Sequence, residues 1–201
     1  MRGRRLGWAI AALCVLAACS GPHQSTPLAR APSGAAQPSL PPSNYELADA
    51  GTVFVWRDLN SGEEKEERVK QHDGRLMESS YAGKRSFAYV PDPWADNENT
   101  QVSDIEPLFP LEVGKKATFH RQPRAGRTLD TVEVVGTETL ALPFGTVDTY
   151  VIETTSKLVS GNWVGHATVW YAPSLRWQVQ WSITDNDGDN RRRQVIALKA
   201  P

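Results

Sequence analysis

The chain has 201 residues, 40% of them hydrophobic, with 22 Lys+Arg against 23 Asp+Glu, a formal net charge of −1, and only two cysteines. That balance gives no electrostatic reason to bind nucleic acid, and the hydrophobic content is that of a chain able to bury a core. So few cysteines exclude a disulfide scaffold and a four-cysteine zinc site.

At the N-terminus, Arg2, Arg4 and Arg5 precede an apolar run over residues 6–18 that closes in small residues, the layout of a secretory signal. Thirteen helical residues rise only about 20 Å, short of the roughly 17–25 residues that a membrane span requires. The closing string Leu16-Ala17-Ala18-Cys19 resembles the bacterial lipobox, after which residues 1–18 are removed and Cys19 is acylated. Plain secretory cleavage is the rival reading. Ser20 rather than aspartate follows, which in Gram-negative lipoproteins implies transport to the outer membrane. The expected address is therefore the cell envelope, with the chain held in membrane lipid through acylated Cys19 on the outer membrane, facing the periplasm. Cys14 leaves with the signal, so no thiol remains for chemistry. Three arginines and no acid leave with it, so 19 basic side chains face 23 acidic ones.

Residues 20–44 hold six prolines and five serines and almost no large apolar side chain. Such a stretch cannot bury enough surface to offset its ordering entropy, and 19–44 is expected to be a disordered tether behind the anchor. Residues 45–201 are expected to form one β-domain.

Within that domain, short segments rich in Val, Thr, Trp and Tyr alternate with turn residues. Strands are expected at 52–56, 64–71, 76–81, 85–90, 115–121, 131–141, 146–156, 163–171, 175–184 and 191–198. Turns are expected at Asn60-Ser61-Gly62, Asp73-Gly74 and Asp187-Gly188. The clearest alternation sets Trp177, Val179, Trp181 and Ile183 on one face and Arg176, Gln178, Gln180 and Ser182 on the other. The fold class is all-β: a single antiparallel meander of about ten strands with little helix, curled into a half-barrel, barrel or sandwich. Two connections are long or charged. Residues 91–110 form either a crossover whose Trp94 plugs the core or a binding lid, and residues 121–130 carry Arg121, Arg124 and Arg127.

Three strings occur in succession: Pro110-Leu111-Glu112-Val113-Gly114-Lys115, then Val135-Gly136-Thr137-Glu138 running into Leu142-Pro143-Phe144-Gly145-Thr146-Val147-Asp148-Thr149-Tyr150, then Val169-Trp170-Tyr171-Ala172-Pro173. Together they resemble a family of exported bacterial β-rich domains of unknown function, over about residues 105–185. Phe144, Val147 and Arg176-Trp177 depart from its pattern, the last pair standing where the family often has Gly. The resemblance implies a fold and no catalytic residue. By their own chemistry these strings are folding signals, with Leu142-Pro143-Phe144-Gly145 fitting a turn and Gly114 and Gly136 fitting turns or bulges.

Catalytic patterns are missing. His23, His72, His120 and His166 are scattered, and no G-x-S-x-G or H-E-x-x-H occurs. Asp185-Asn186-Asp187-Gly188-Asp189 alternates carboxylates as calcium loops do, but Asn190 and Ile196 stand where an EF-hand needs glycine and glutamate. No metal site, no cofactor and no enzymatic activity are expected. The remaining unusual feature is tryptophan. Trp94, Trp163, Trp170, Trp177 and Trp181 are candidates for an aromatic groove that stacks on a glycan or an apolar ligand, set against a plain tryptophan-rich core. The expected function is that of a tethered, non-enzymatic domain binding an envelope protein, lipid or glycan. The alternatives are a structural adaptor of an envelope assembly and a hydrolase using carboxylates such as Asp185, Asp187 or Glu153.

Overall fold

A computed structural model of the protein describes residues 39–72, 77–81, 84–88, 102–123, 126–199 and 201. Ten strands form one sheet: β1 (Val53–Asp58), β2 (Glu64–His72), β3 (Met77–Tyr81), β4 (Lys84–Ala88), β5 (Lys116–Arg121), β6 (Thr128–Leu142), β7 (Gly145–Leu158), β8 (Val164–Ala172), β9 (Trp177–Asp185) and β10 (Asn190–Lys199). The only helical pieces among the described residues are α1 (Val102–Ile105) and two 3-10 turns, Glu106–Leu108 and Pro173–Leu175. The ten strands coincide with the ten expected segments to within a few residues. Cys19, Trp94 and the Asp73-Gly74 turn lie outside the described residues.

The sheet is antiparallel throughout, in the order β4-β3-β2-β1-β10-β9-β8-β7-β6-β5. It is open rather than a closed barrel, and β4 and β5 are its edges. The meander carries one twist that the strand pattern does not reveal. Its first and last strands pair with each other in the middle of the sheet, from Val53 opposite Lys199 to Asp58 opposite Arg193. The chain between β4 and β5 therefore passes from one edge to the other. On the way it packs Ile105, Leu108 and Leu111 into the buried cluster of the sheet's inner face.

Alternation drives the packing. Val134, Ile152, Val169 and Trp181 are successive cross-strand partners on β6 to β9, and all are buried. Trp177, Val179 and Ile183 continue the buried face of β9. Trp177 stacks on Phe54 with ring centroids 4.5 Å apart and an interplanar angle of 6°. Burying side chains of this size contributes on the order of 1.5–3 kcal/mol each. Gly136 takes its expected place at a bulge where β6 shifts register against β7. The β6–β7 hairpin turns at Pro143 and Phe144, between Leu142 and Gly145.

The expected boundary at residue 45 falls within the described fold, which already includes residues 40–44. Leu40 packs against the core, Ser43 bridges to Leu111, and Leu47 and Ala48 are buried. Residues 40–49 form a strap. Arg121 is also not a connection residue, because it closes β5 with its side chain 4% exposed.

Candidate functional site

The strap crosses the end of the sheet where β7 begins and β8 finishes. Its backbone carbonyls are met by side chains of the sheet. The Tyr150 hydroxyl donates to the Pro41 carbonyl at 2.8 Å, and the Tyr171 hydroxyl donates to the Glu46 carbonyl at 3.2 Å. Burial pushes both phenols above their ordinary range, aided at Tyr150 by Glu112 and at Tyr171 by Glu46, so both stay neutral donors. Ser43 and Leu111 exchange two backbone bonds, at 3.3 and 2.7 Å. Tyr45 meets Phe109 edge to face at 5.0 Å. At the far end Asp49 pairs with Arg176.

Arg176 has a φ of +52°, the only non-glycine residue in the left-handed region among those described. It ends the Pro173–Leu175 turn, where a left-handed residue is the usual stop. That conformation costs a side-chain-bearing residue about 1–2 kcal/mol. Beside the strap lies an open groove of about 460 Å³, walled by residues such as Pro41, Ser43, Thr146, Asp148, Ser174 and Arg176. Its lining is polar rather than aromatic.

The candidate tryptophans do not meet. Trp177 and Trp181 face inward, and Arg193 lies 5.1 Å over the Trp181 ring. Trp170 points to the opposite face from its neighbour Tyr171, as adjacent strand residues must, and donates to Glu138 at 2.8 Å. Trp163 donates to Asp185 at 3.1 Å at the other end of the sheet. The groove expected of them is not formed by these four.

The candidate carboxylates do not converge either. Asp185 accepts from the backbone N–H groups of Asp187 and Asp189 and from Trp163. The bond from Asp189, foremost among these contacts, holds its carboxyl below the usual range. Asp189 pairs with Arg191 at 2.7 Å. Glu153 is exposed on β7, two strands from β9 and in register with Ser182 rather than with that turn. His166 is exposed beside Thr155, and the His120 ring meets the Thr128 carbonyl at 3.2 Å. Among the described residues no three His, Cys, Asp or Glu side chains gather as a metal site would require.

One polar constellation was missed in the sequence. Arg121 and Asp130 form an ion pair at 2.5 Å with both side chains buried, and the Ser156 hydroxyl donates to Asp130 at 2.6 Å. Strand period alone would have found it. Arg121 shares the face of Ala117 and Phe119, and Asp130 that of Val132 and Val134, which are core positions.

No protein-family model matches the chain, and no curated protein does. The chain is similar to solved structures. It aligns with the hypothetical lipoprotein YmcC of Escherichia coli K12 at a TM-score of 0.51 and 11% identity, covering 75% of this chain and 85% of that one. It also aligns with a protein of Bacteroides fragilis described as exported with a YmcC-like fold (TM-score 0.45, 14% identity, 79% and 100% coverage). A lipoprotein of Parabacteroides distasonis aligns at 0.42 and 16%, over 80% and 100%. The chain thus has the open β-fold of YmcC.

Proposed function

We propose that the protein is a lipid-anchored, non-enzymatic domain of the bacterial cell envelope that holds a protein partner rather than a small apolar ligand. The observation that carries this reading is the engagement of the aromatic side chains. Trp56, Trp177, Tyr150 and Tyr171 fill the inner face, and Trp163 and Trp170 are tied to carboxylates, which leaves no aromatic cleft among the described residues. Leu16 to Cys19 supplies the acylation site, and the likeness in fold to a lipoprotein supports that half of the reading. Lipid on Cys19 places the domain on the outer membrane, with the proline-rich stretch behind it as a spacer.

Two measurements test it. A Cys19→Ala variant should leave the membrane fraction, and its retention there would overturn the anchor. A photo-crosslinker in place of Ser174, exposed beside the strap-end groove, should yield one dominant protein adduct in cells. Saturable binding of a fatty acid or glycan to the purified chain, with no such adduct, would overturn the protein partner.

A further inference from the structure

The strap is bound unevenly. Leu47 and Ala48 are buried, whereas residues 39–44 are exposed or half-exposed. This outer half is held by one phenol shared between the Leu40 and Pro41 carbonyls, one reciprocal backbone bridge from Ser43 to Leu111, and the packing of Leu40. Those contacts are the elements of peptide recognition. An extended proline-containing segment is already stiff and loses little entropy on docking, an aromatic hydroxyl reads its carbonyl, and a backbone pair sets its register. The groove of about 460 Å³ alongside has the strap as one wall and Thr146, Asp148, Ser174 and Arg176 on the other, so an incoming segment first meets the strap's exposed side and then takes its place.

We propose that residues 40–43 are the resident ligand of a peptide-docking groove, and that an extended, proline-containing segment of an envelope protein displaces them. This rests on the protein-partner reading above and names how that partner is gripped. The strap itself supplies the argument for the occupant, since it shows which chemistry the Tyr150 hydroxyl and the Leu111 backbone accept. Docking then has a mechanical result. Freeing residues 40–43 returns four residues to the spacer and lengthens its reach by up to about 14 Å. Partner capture and distance from the membrane become one equilibrium, because the groove holds only one of the two segments.

The test uses the full chain and a fluorescein-labelled peptide copying residues 37–46, followed by anisotropy. Leu40→Asp loosens the strap without touching the groove's donors, so it should bind the peptide at least tenfold more tightly than the wild type. Adding Tyr150→Phe to that variant should weaken binding at least fivefold. Pro41→Gly, which slackens the strap by another route, should also strengthen binding and guards against a folding defect in Leu40→Asp. Equal affinity or no saturable binding in all folded variants would overturn the proposal, as would indifference to Tyr150→Phe. A wild-type dimer by light scattering that Leu40→Asp abolishes would give the groove to a second copy's strap and overturn the partner assignment. None of these outcomes depends on Cys19, so failure of the anchor is read separately.

Discussion

The two ends of the sheet solve the same problem with different chemistry. At the strap end, backbone carbonyls are satisfied by phenols from far along the chain, Tyr150 on Pro41 and Tyr171 on Glu46. At the loop end, backbone N–H groups are satisfied by carboxylates of the turns themselves. Asp58 accepts from Asn60 and Ser61, and Asp185 accepts from Asp187 and Asp189. Local carboxylates build hairpins that close independently. Remote phenols attach a separate segment to a sheet already formed, and a segment attached in that way is one that can be released.

The contrast is broken most severely at the loop end. Asp130→Ala leaves Arg121 buried without its partner and should cost about 3–5 kcal/mol in urea denaturation. A loss near zero would mean that the ion pair does not support this end. At the strap end, Tyr150→Phe or Tyr171→Phe removes one hydroxyl each and should cost only about 1 kcal/mol. Proteolysis should detect the Tyr150 change first in residues 39–44, leaving the sheet intact.

Arg176→Gly sharpens the picture in the opposite direction. It removes the left-handed penalty and forfeits an exposed ion pair with Asp49 worth about 0–1 kcal/mol. The expected result is a gain of up to about 1 kcal/mol, and a clear loss would show that the ion pair matters more than the backbone.

The smallest effect lies in pH. Contact with the Ser61 N–H holds the Asp58 carboxyl low, and contact with the Asp189 N–H does the same for Asp185. Their contribution is complete above the ordinary aspartate value of 3.8 and is lost as pH falls below it through the depressed folded values. The phenols have the reverse sign. Their pKa values are raised, so their contribution is complete below 10.0 and lost as pH rises through the higher folded values. Amide exchange should therefore quicken in the turns in acid and in the strap in alkali. Simultaneous loosening of both ends at low pH would contradict the assignment.

The same division separates what can be read from the sequence from what cannot. Alternation placed β9 with Trp177 and Trp181 inward, and Asn60-Ser61-Gly62 and Asp187-Gly188 announced their turns, because each signal is local. The partners of Trp163 and Trp170 lie 22 and 32 residues away, so their engagement was invisible and they read as candidates for a groove. The strap was hidden for a related reason. Its composition shows no core, but its carbonyls need no particular side chain of their own to be gripped by Tyr150 and Tyr171. The left-handed backbone of Arg176 was likewise invisible, because no local signal places a positive φ on an arginine. Nothing local betrays that β1 pairs with β10.

That seam sets the order in which the molecule is completed. Gly51, just before β1, and Pro201, just after β10, come so close that a Cβ on Gly51 would lie 3.0 Å from that of Pro201. Strands β5 to β9 can assemble as their residues emerge, but the first strand must wait for the last. A chain in which β10 is not yet free holds Val53 to Asp58 paired with β2 on one side and unmatched on the other. Such an edge invites pairing with other chains. Completion of the sheet thus waits on β10, a pairing of high contact order, and β1 keeps one open side until β10 is free.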